Sequence, residues 1–367
     1  MSEATMQTEY FPTSVSPPGE TLGELLEERG ISQTELAERT GRPRKTINEI
    51  LQGKAALTPE TALQLELVLG VPARFWNARE AHYREHLARK EERARLARLG
   101  EWAEPFPYKE MANLGWVPHV GRVEEKVRAL LEFFGVTSPE QWATIQTRTV
   151  VSFRKSVAFE ANAHALAAWL RRGEREAERA AAEPYEEKTF RSALNRIRAL
   201  TRSKPEVFDE QLRHACIQAG VVVAFVPQLK GSRAHGATRW VSPDRALIQL
   251  SLRYKTEDHL WFTFFHEAAH ILFHRKRDIY LESSAHEGRE EAEANRFAAD
   301  FLIPREAFAH LVTLRAYSKN AIRAFASEIG ISPGIVVGRL QYEGLLPFTH
   351  CNDLKIRLKW TPAEQVA

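Results

Sequence analysis

The sequence predicts a mainly α protein with one small β-sheet, α+β in class, and three observations carry that prediction. Helix start and stop signals recur at short intervals between residues 21 and 80. The apolar pattern turns strand-like in "GVVVAFVPQL" and "ALIQLSLRY", which predicts a sheet of few strands. A long apolar helix follows, "HLWFTFFHEAAHILFH" at residues 259–274, with ionisable side chains set inside it.

A chain of 367 residues has room for two or three domains, each burying its own core. The net charge of +3 is small for that length, and 44% hydrophobic with 27% charged residues is the composition of an ordinary globular protein. Global charge therefore selects no partner. The N-terminal stretch lacks a basic flank followed by an apolar run, and no later segment approaches the roughly 20 apolar residues that cross a bilayer. A cytoplasmic protein with no membrane partner is expected. Cys216 and Cys351 lie far apart and outside any CxxC spacing, so reduced thiols are expected rather than a disulfide or a cysteine metal site.

In chain order, residues 1–20 are rich in Ser, Thr, Pro and Gly and read as a flexible tail. Residues 21–80 read as four or five short helices. Ser32 to Glu35 forms a capping box, Pro43 suits a first helical position, Thr58 with Pro59 opens a helix, and Gly30, Gly41, Gly53 and Gly70 stand where helices should stop. Residues 81–130 read as a helical linker, with six basic residues against three acids between Arg84 and Arg98. Residues 131–215 form a helical middle region whose charged interval "RRGEREAERAAAEPYEEK" reads as an exposed helix end and loop. Residues 216–310 hold the two strands, joined by a connection able to carry a short edge strand, then the long helix from about Thr256 and another ending before Pro304. Residues 311–367 are helical again.

In HEAAH, His266 and His270 are one helical turn apart, so their imidazoles face the same way with Cβ atoms roughly 6 Å apart. Two imidazoles so placed can share one Zn²⁺ at about 2.0 to 2.1 Å from each nitrogen. Glu267 is placed beside such an ion without chelating it, where a carboxylate can take a proton from water. A catalytic site needs a third protein ligand, and the segment "GREEAEANRFAADFLIP" offers one. Ala294, Phe297, Ala298 and Phe301 mark a core-facing stripe there; Glu293 adjoins it, with Glu290 one turn earlier as the reserve choice. His274 extends the series but lies about 12 Å along the axis from His266, too far to share the ion, and suits an outer or capping position. A core helix whose histidines are merely hydrogen-bonded would have to bury three ionisable groups among aromatic residues at a cost of several kcal/mol.

The segment "ISQTELAERTGRPRKTINEILQGK" has a helix from Gln33 to Arg39, a turn at Thr40 to Arg42, and a second helix from about Pro43 to Gln52. In a helix-turn-helix the first residues of the second helix enter the major groove, here Arg44, Lys45, Thr46 and Asn48. Five basic residues stand against Glu49 alone between Arg39 and Lys54, which suits double-stranded DNA as partner.

Two resemblances rest on these residues. "FFHEAAHILFH" followed by "EEAEANRFAADFLIP" resembles the ImmA/IrrE family of zincin-like metallopeptidases. That resemblance implies His266, His270 and Glu293 as metal ligands, Glu267 as catalytic base, Zn²⁺ or Mn²⁺ as cofactor, and a regulatory protein such as a repressor or antitoxin as substrate. His274, Tyr280 and Arg296 are candidates for the group that stabilises the oxyanion. "LTPETALQLELVLGVPARFW" and the helices before it resemble the XRE-type domains of the HigA antitoxin branch. This implies Gln33, Arg44, Lys45 and Asn48 as base-contacting positions, an operator of pseudo-palindromic sequence, and a homodimer. Arg42 and Pro43 depart from the small or polar residues usual before the second helix.

"AIRAFASEIGISPGIVVGRLQYEGLL" also scans as helix, turn, helix, but carries only Arg323 and Arg339 as basic residues and is expected to cap the peptidase. The joint expectation is a DNA-binding regulator fused to a zinc endopeptidase, connected with toxin–antitoxin or stress-response control. The alternative is an antitoxin-like autorepressor whose peptidase fold binds or senses without turnover.

Overall fold

The computed structural model describes residues 15–145, 162–274, 280–282, 288–315 and 317–360. The chain divides into two compact units, one ending at Leu99 and one beginning at Gly100.

The first unit is all helix: α1 (Pro18–Arg29), α2 (Gln33–Thr40), α3 (Arg44–Leu51), α4 (Pro59–Leu69) and α5 (Ala73–Ala97). Its ends fall where the local chemistry puts them. The Ser32 hydroxyl accepts the Glu35 N–H at 3.1 Å and the Thr58 hydroxyl accepts the Thr61 N–H at 3.3 Å, each relieving an orphan donor of a first turn. Gly41 closes α2 at φ 65°, the left-handed conformation that only glycine adopts without strain, and so sets the turn between α2 and α3. Pro43 caps α3 from outside rather than opening it. Leu22, Leu36, Ile47, Ile50, Leu65 and Trp76 form the fully buried centre. Residues 18–20, expected in the tail, belong to α1, where Pro18 and Gly19 are buried. The expected boundary at residue 80 lies inside α5, which is continuous for 25 residues and exposed all round at 88–94.

The second unit begins with α6 (Gly100–Ala103), α7 (Tyr108–Asn113) and α8 (Val123–Phe134). Residues 100–130, expected as linker, instead bury Phe106, Met111, Trp116 and Val117 in the core of this unit. Then come α9 (Ala163–Arg179), α10 (Glu187–Leu200) and α11 (Pro205–Ile217). The charged interval expected as exposed lies half inside α9. Gly173 and Ala177 are buried there, and Arg171 and Arg172 satisfy their charge along the helix with Glu174 at 2.9 Å and Glu176 at 3.1 Å.

The sheet follows: β1 (Val221–Phe225), β2 (Gly236–Ser242), β3 (Arg245–Leu250), and later β4 (Tyr280–Glu282), in the order β1-β3-β2-β4. β1 runs parallel to β3, and β2 is antiparallel to both β3 and β4. Strand side chains alternate between faces, so Val222, Ala224 and Leu247 enter one core with Trp169 of α9, while Val221, Val223 and Ile248 enter another with α10 and α11. The sheet is thus a middle layer, covered on both faces. The strand between β1 and β3 in sequence, expected as an edge, lies inside: Gly236 to Thr238 pair with β4 on the side away from β3.

On the second face lie α12 (Glu257–Phe273) and α13 (Arg289–Leu302), followed by α14 (Arg305–Leu314), α15 (Lys319–Ile329) and α16 (Pro333–Tyr342). α15 and α16 meet at 112°. Ile335, Val336, Val337 and Leu340 of α16 are buried in the same core as Trp261, Phe264 and Phe265 of α12. The start of α16, where a DNA reader would project its side chains, is thus packed into the core beside α12. Among the described residues no single helix is long and apolar enough to cross a membrane.

Candidate metal centre and nucleic-acid interface

α12 is apolar on nearly every side, the pattern of a core helix, and it carries its polar residues into the interior. His266, Glu267 and His270 are at most 2% exposed. The two imidazole Nε2 atoms lie 3.0 Å apart. A carboxylate joins them, with Oε2 at 3.1 Å from His266 Nε2 and Oε1 at 3.6 Å from His270 Nε2, but it belongs to Glu291. Glu293 is half exposed and its Oε2 is 3.5 Å from His274 Nε2; Glu290 is exposed. The sequence reading of the third acid is therefore corrected from Glu293 to Glu291. The reason is helical phase. The face of α13 that meets α12 is centred on Ala294, Ala298 and Leu302, all buried, whereas Phe297 and Phe301 are only partly covered. Glu291 stands three and seven residues before the two alanines, on their side of the helix; Glu293 falls nearly opposite.

One ligand atom from each of His266, His270 and Glu291 lies within 4.8 Å of the others. Two nitrogens on an ion at zinc's bond lengths would stand about 3.3 Å apart in an ideal tetrahedron, close to the spacing seen. Burial lowers the His270 pKa to about 2, aided by the neighbouring His266 and His274, so its ring stays neutral, the form that ligates. Donor set and spacing both fit a zinc-type cation.

Glu267, between the two histidines on α12, is fully buried and lies against β2. The Thr238 hydroxyl donates to the Glu267 carbonyl at 3.0 Å. A Cβ on Gly236 would come within 2.6 Å of Glu267 Oε1, so a larger residue at that strand position would displace the carboxylate or the strand. A cleft of about 650 Å³ opens onto the cluster, floored by Phe262, His266 and Glu291, with Asn295 and Arg296 on one side and Ile335 of α16 on another. Of the oxyanion candidates, Arg296 lines this cleft, His274 sits behind His270 with Nδ1 to Nδ1 at 2.8 Å, and the Tyr280 side chain lies outside the described residues. Asn295, whose Oδ1 is 2.9 Å from His266 Nδ1, was not foreseen; its place one turn after Glu291 was the available signal.

In the first unit, α3 buries Ile47 and Ile50 and turns Arg44, Lys45 and Asn48 to solvent, with Thr46 half-buried. Gln33 is exposed at the start of α2. Lys45 is 84% exposed and 3.8 Å from Glu49, a surface pair of little energy. Arg42 turns inward, its Nε donating to Gln64 of α4 at 2.7 Å, which explains a bulky residue before α3.

Residues 217–341 match the peptidase family described as the IrrE N-terminal-like domain, and residues 22–76 match the helix-turn-helix family. An uncharacterized HTH-type transcriptional regulator of Escherichia coli (strain K12), YddM, is 39% identical over 59 residues, 16% of this chain and 63% of that protein. Two solved structures are similar to part of the chain. One is a putative antidote protein of a plasmid maintenance system from Nostoc punctiforme, at 26% identity over 21% of this chain and 85% of its own, TM-score 0.21. The other is an addiction module antidote protein of a HigA family from Coxiella burnetii, at 29% identity over 22% of this chain and 89% of its own, TM-score 0.21.

Proposed function

The chain carries an IrrE N-terminal-like peptidase domain behind a helix-turn-helix domain, and on that premise we propose that it is a DNA-binding regulator that cleaves a regulatory protein, a repressor or an antitoxin, by zinc-dependent peptide hydrolysis. The observation that carries this reading is the convergence of His266, His270 and Glu291, with Glu267 buried on the same helix as the two histidines. Zinc held by those three residues supplies Lewis acidity toward a peptide carbonyl and toward water. Glu267 takes the proton of the attacking water and passes it to the departing amine. The cleft admits the substrate, with Phe262 and Ile335 offering apolar contacts beside His266 and Glu291. Gln33, Arg44, Lys45, Thr46 and Asn48 form the face that meets the operator, bound by a homodimer.

Glu267→Gln tests the proposal. Cells making the wild-type protein should gain new protein termini that cells making the variant lack, while both proteins bind zinc and DNA alike. If the zinc-loaded wild type generates no such termini, hydrolysis fails and a HigA-like autorepressor that binds or senses without turnover takes its place.

A further inference from the structure

The two imidazoles are held from behind by different groups, and the chemistry of those groups decides which ring nitrogen carries the proton. Behind His266 stands Asn295 Oδ1, at 2.9 Å from Nδ1. An amide oxygen only accepts, so His266 Nδ1 carries the hydrogen and donates it. The lone pair is then on Nε2, the atom 3.1 Å from the Glu291 carboxylate. Behind His270 stands His274, Nδ1 to Nδ1 at 2.8 Å. If His270 Nδ1 donates there, His274 Nδ1 accepts and its own proton moves to Nε2, the atom that lies 3.5 Å from Glu293 Oε2. A carboxylate attracts a proton on the nitrogen that faces it, so the Glu293 contact favours the arrangement in which His274 Nε2 carries the hydrogen and Nδ1 accepts from His270. His274 is 4% exposed at its side chain and closes α12, its backbone N–H donating to the His270 carbonyl at 3.2 Å.

We propose that Asn295 and His274 are positioning residues that hold both imidazoles in the tautomer whose Nε2 lone pair faces the Glu291 carboxylate, with the Glu293 carboxylate at the outer end of the second line. The inference rests on the metal-site reading above. It assigns a use to three polar side chains that touch no reacting atom, and it accounts for an asparagine on the otherwise alanine-rich face of α13.

The test measures zinc affinity of the full-length protein by competition with a chromophoric chelator, together with melting of the metal-stripped protein. Removing an outer partner of a ligating histidine weakens metal binding about 10- to 100-fold. Asn295→Ala should raise the Kd by that factor with the metal-stripped melting temperature unchanged, and Asn295→Asp, which keeps an acceptor oxygen in place, should restore affinity. His274→Ala should weaken binding in the same range and serves as an independent measurement should Asn295→Ala fold poorly. Unchanged affinity in both alanine variants overturns the proposal, as does equal weakening by Asn295→Ala and Asn295→Asp, which would mean packing rather than an acceptor. A wild-type protein that binds no zinc overturns the metal-site reading itself, and the wild-type titration distinguishes that outcome from the others.

Discussion

Glu291 Oε2 lies 3.1 Å from His266 Nε2, while the carboxylate of Glu293, two residues on, lies 3.5 Å from His274 Nε2. The two acids share one helix and differ in phase, which separates their variants. Glu291→Ala removes one of three charged or lone-pair ligands and should weaken zinc binding by at least about a hundredfold, whereas Glu293→Ala, at a half-exposed outer position, should change it only a few-fold. Zinc titration of the two purified variants checks this; equal loss in both would show that the third ligand has been misassigned.

Features fixed by local chemistry were readable in the sequence, and features fixed by packing were not. His266, Glu267 and His270 follow from spacing on a single helix, and Gly30 and Gly41 stop their helices because each needs a left-handed backbone. The third acid required the phase of α13 against α12. Weighting that stripe by side-chain size favoured Phe297 and Phe301, but close helix contact uses the small residues Ala294 and Ala298. The interior position of β2 depended on a three-residue partner, Tyr280–Glu282, too short to show a period. Asn295 became visible only once His266 was seen beside it.

Gly236 offers a test of the base without touching it. An added methyl at this position would stand 2.6 Å from both Glu267 Oε1 and Thr263 Cγ2, so strand or carboxylate must shift. Displacement of a catalytic group by about 1 Å can cost roughly a hundredfold in rate. Gly236→Ala should therefore lower peptide cleavage by about that factor while zinc affinity stays within a few-fold of wild type. Loss of both together would indicate general disruption of the sheet instead.

The helix-turn-helix unit separates stability from recognition on a single helix. Ile47 is fully buried, and Ile47→Ala should cost about 2 to 5 kcal/mol, read as a lower melting temperature of this unit. Arg44 is exposed at the start of α3, so Arg44→Ala should leave melting unchanged. Its effect should appear in binding to a random-sequence duplex, where losing one phosphate contact reduces the slope of log K against log salt by about 0.9. An unchanged slope would remove Arg44 from the DNA-facing surface.

The start of α12 carries a pH dependence distinct from the metal centre. Glu257 is 1% exposed, and burial raises its carboxyl from 4.5 to about 7, against hydrogen bonds donated to Oε1 by Ser332 Oγ at 2.6 Å and by the Ile356 N–H at 3.1 Å. The neighbouring Asp258 adds to the rise, although it pairs with Lys355 at 2.6 Å. The sign follows from proton linkage. Between pH 4.5 and about 7 the folded state holds a proton that the unfolded chain has released, so this contribution is complete below 4.5 and is lost as pH rises to about 7. The loss is on the order of 3 kcal/mol. Glu257→Gln keeps an oxygen for both donors and has no proton to lose. Its stability relative to wild type, from chemical denaturation at a series of pH values, should therefore climb across that window and remain higher above pH 7; a constant difference would mean that Glu257 is ionised in the folded protein throughout.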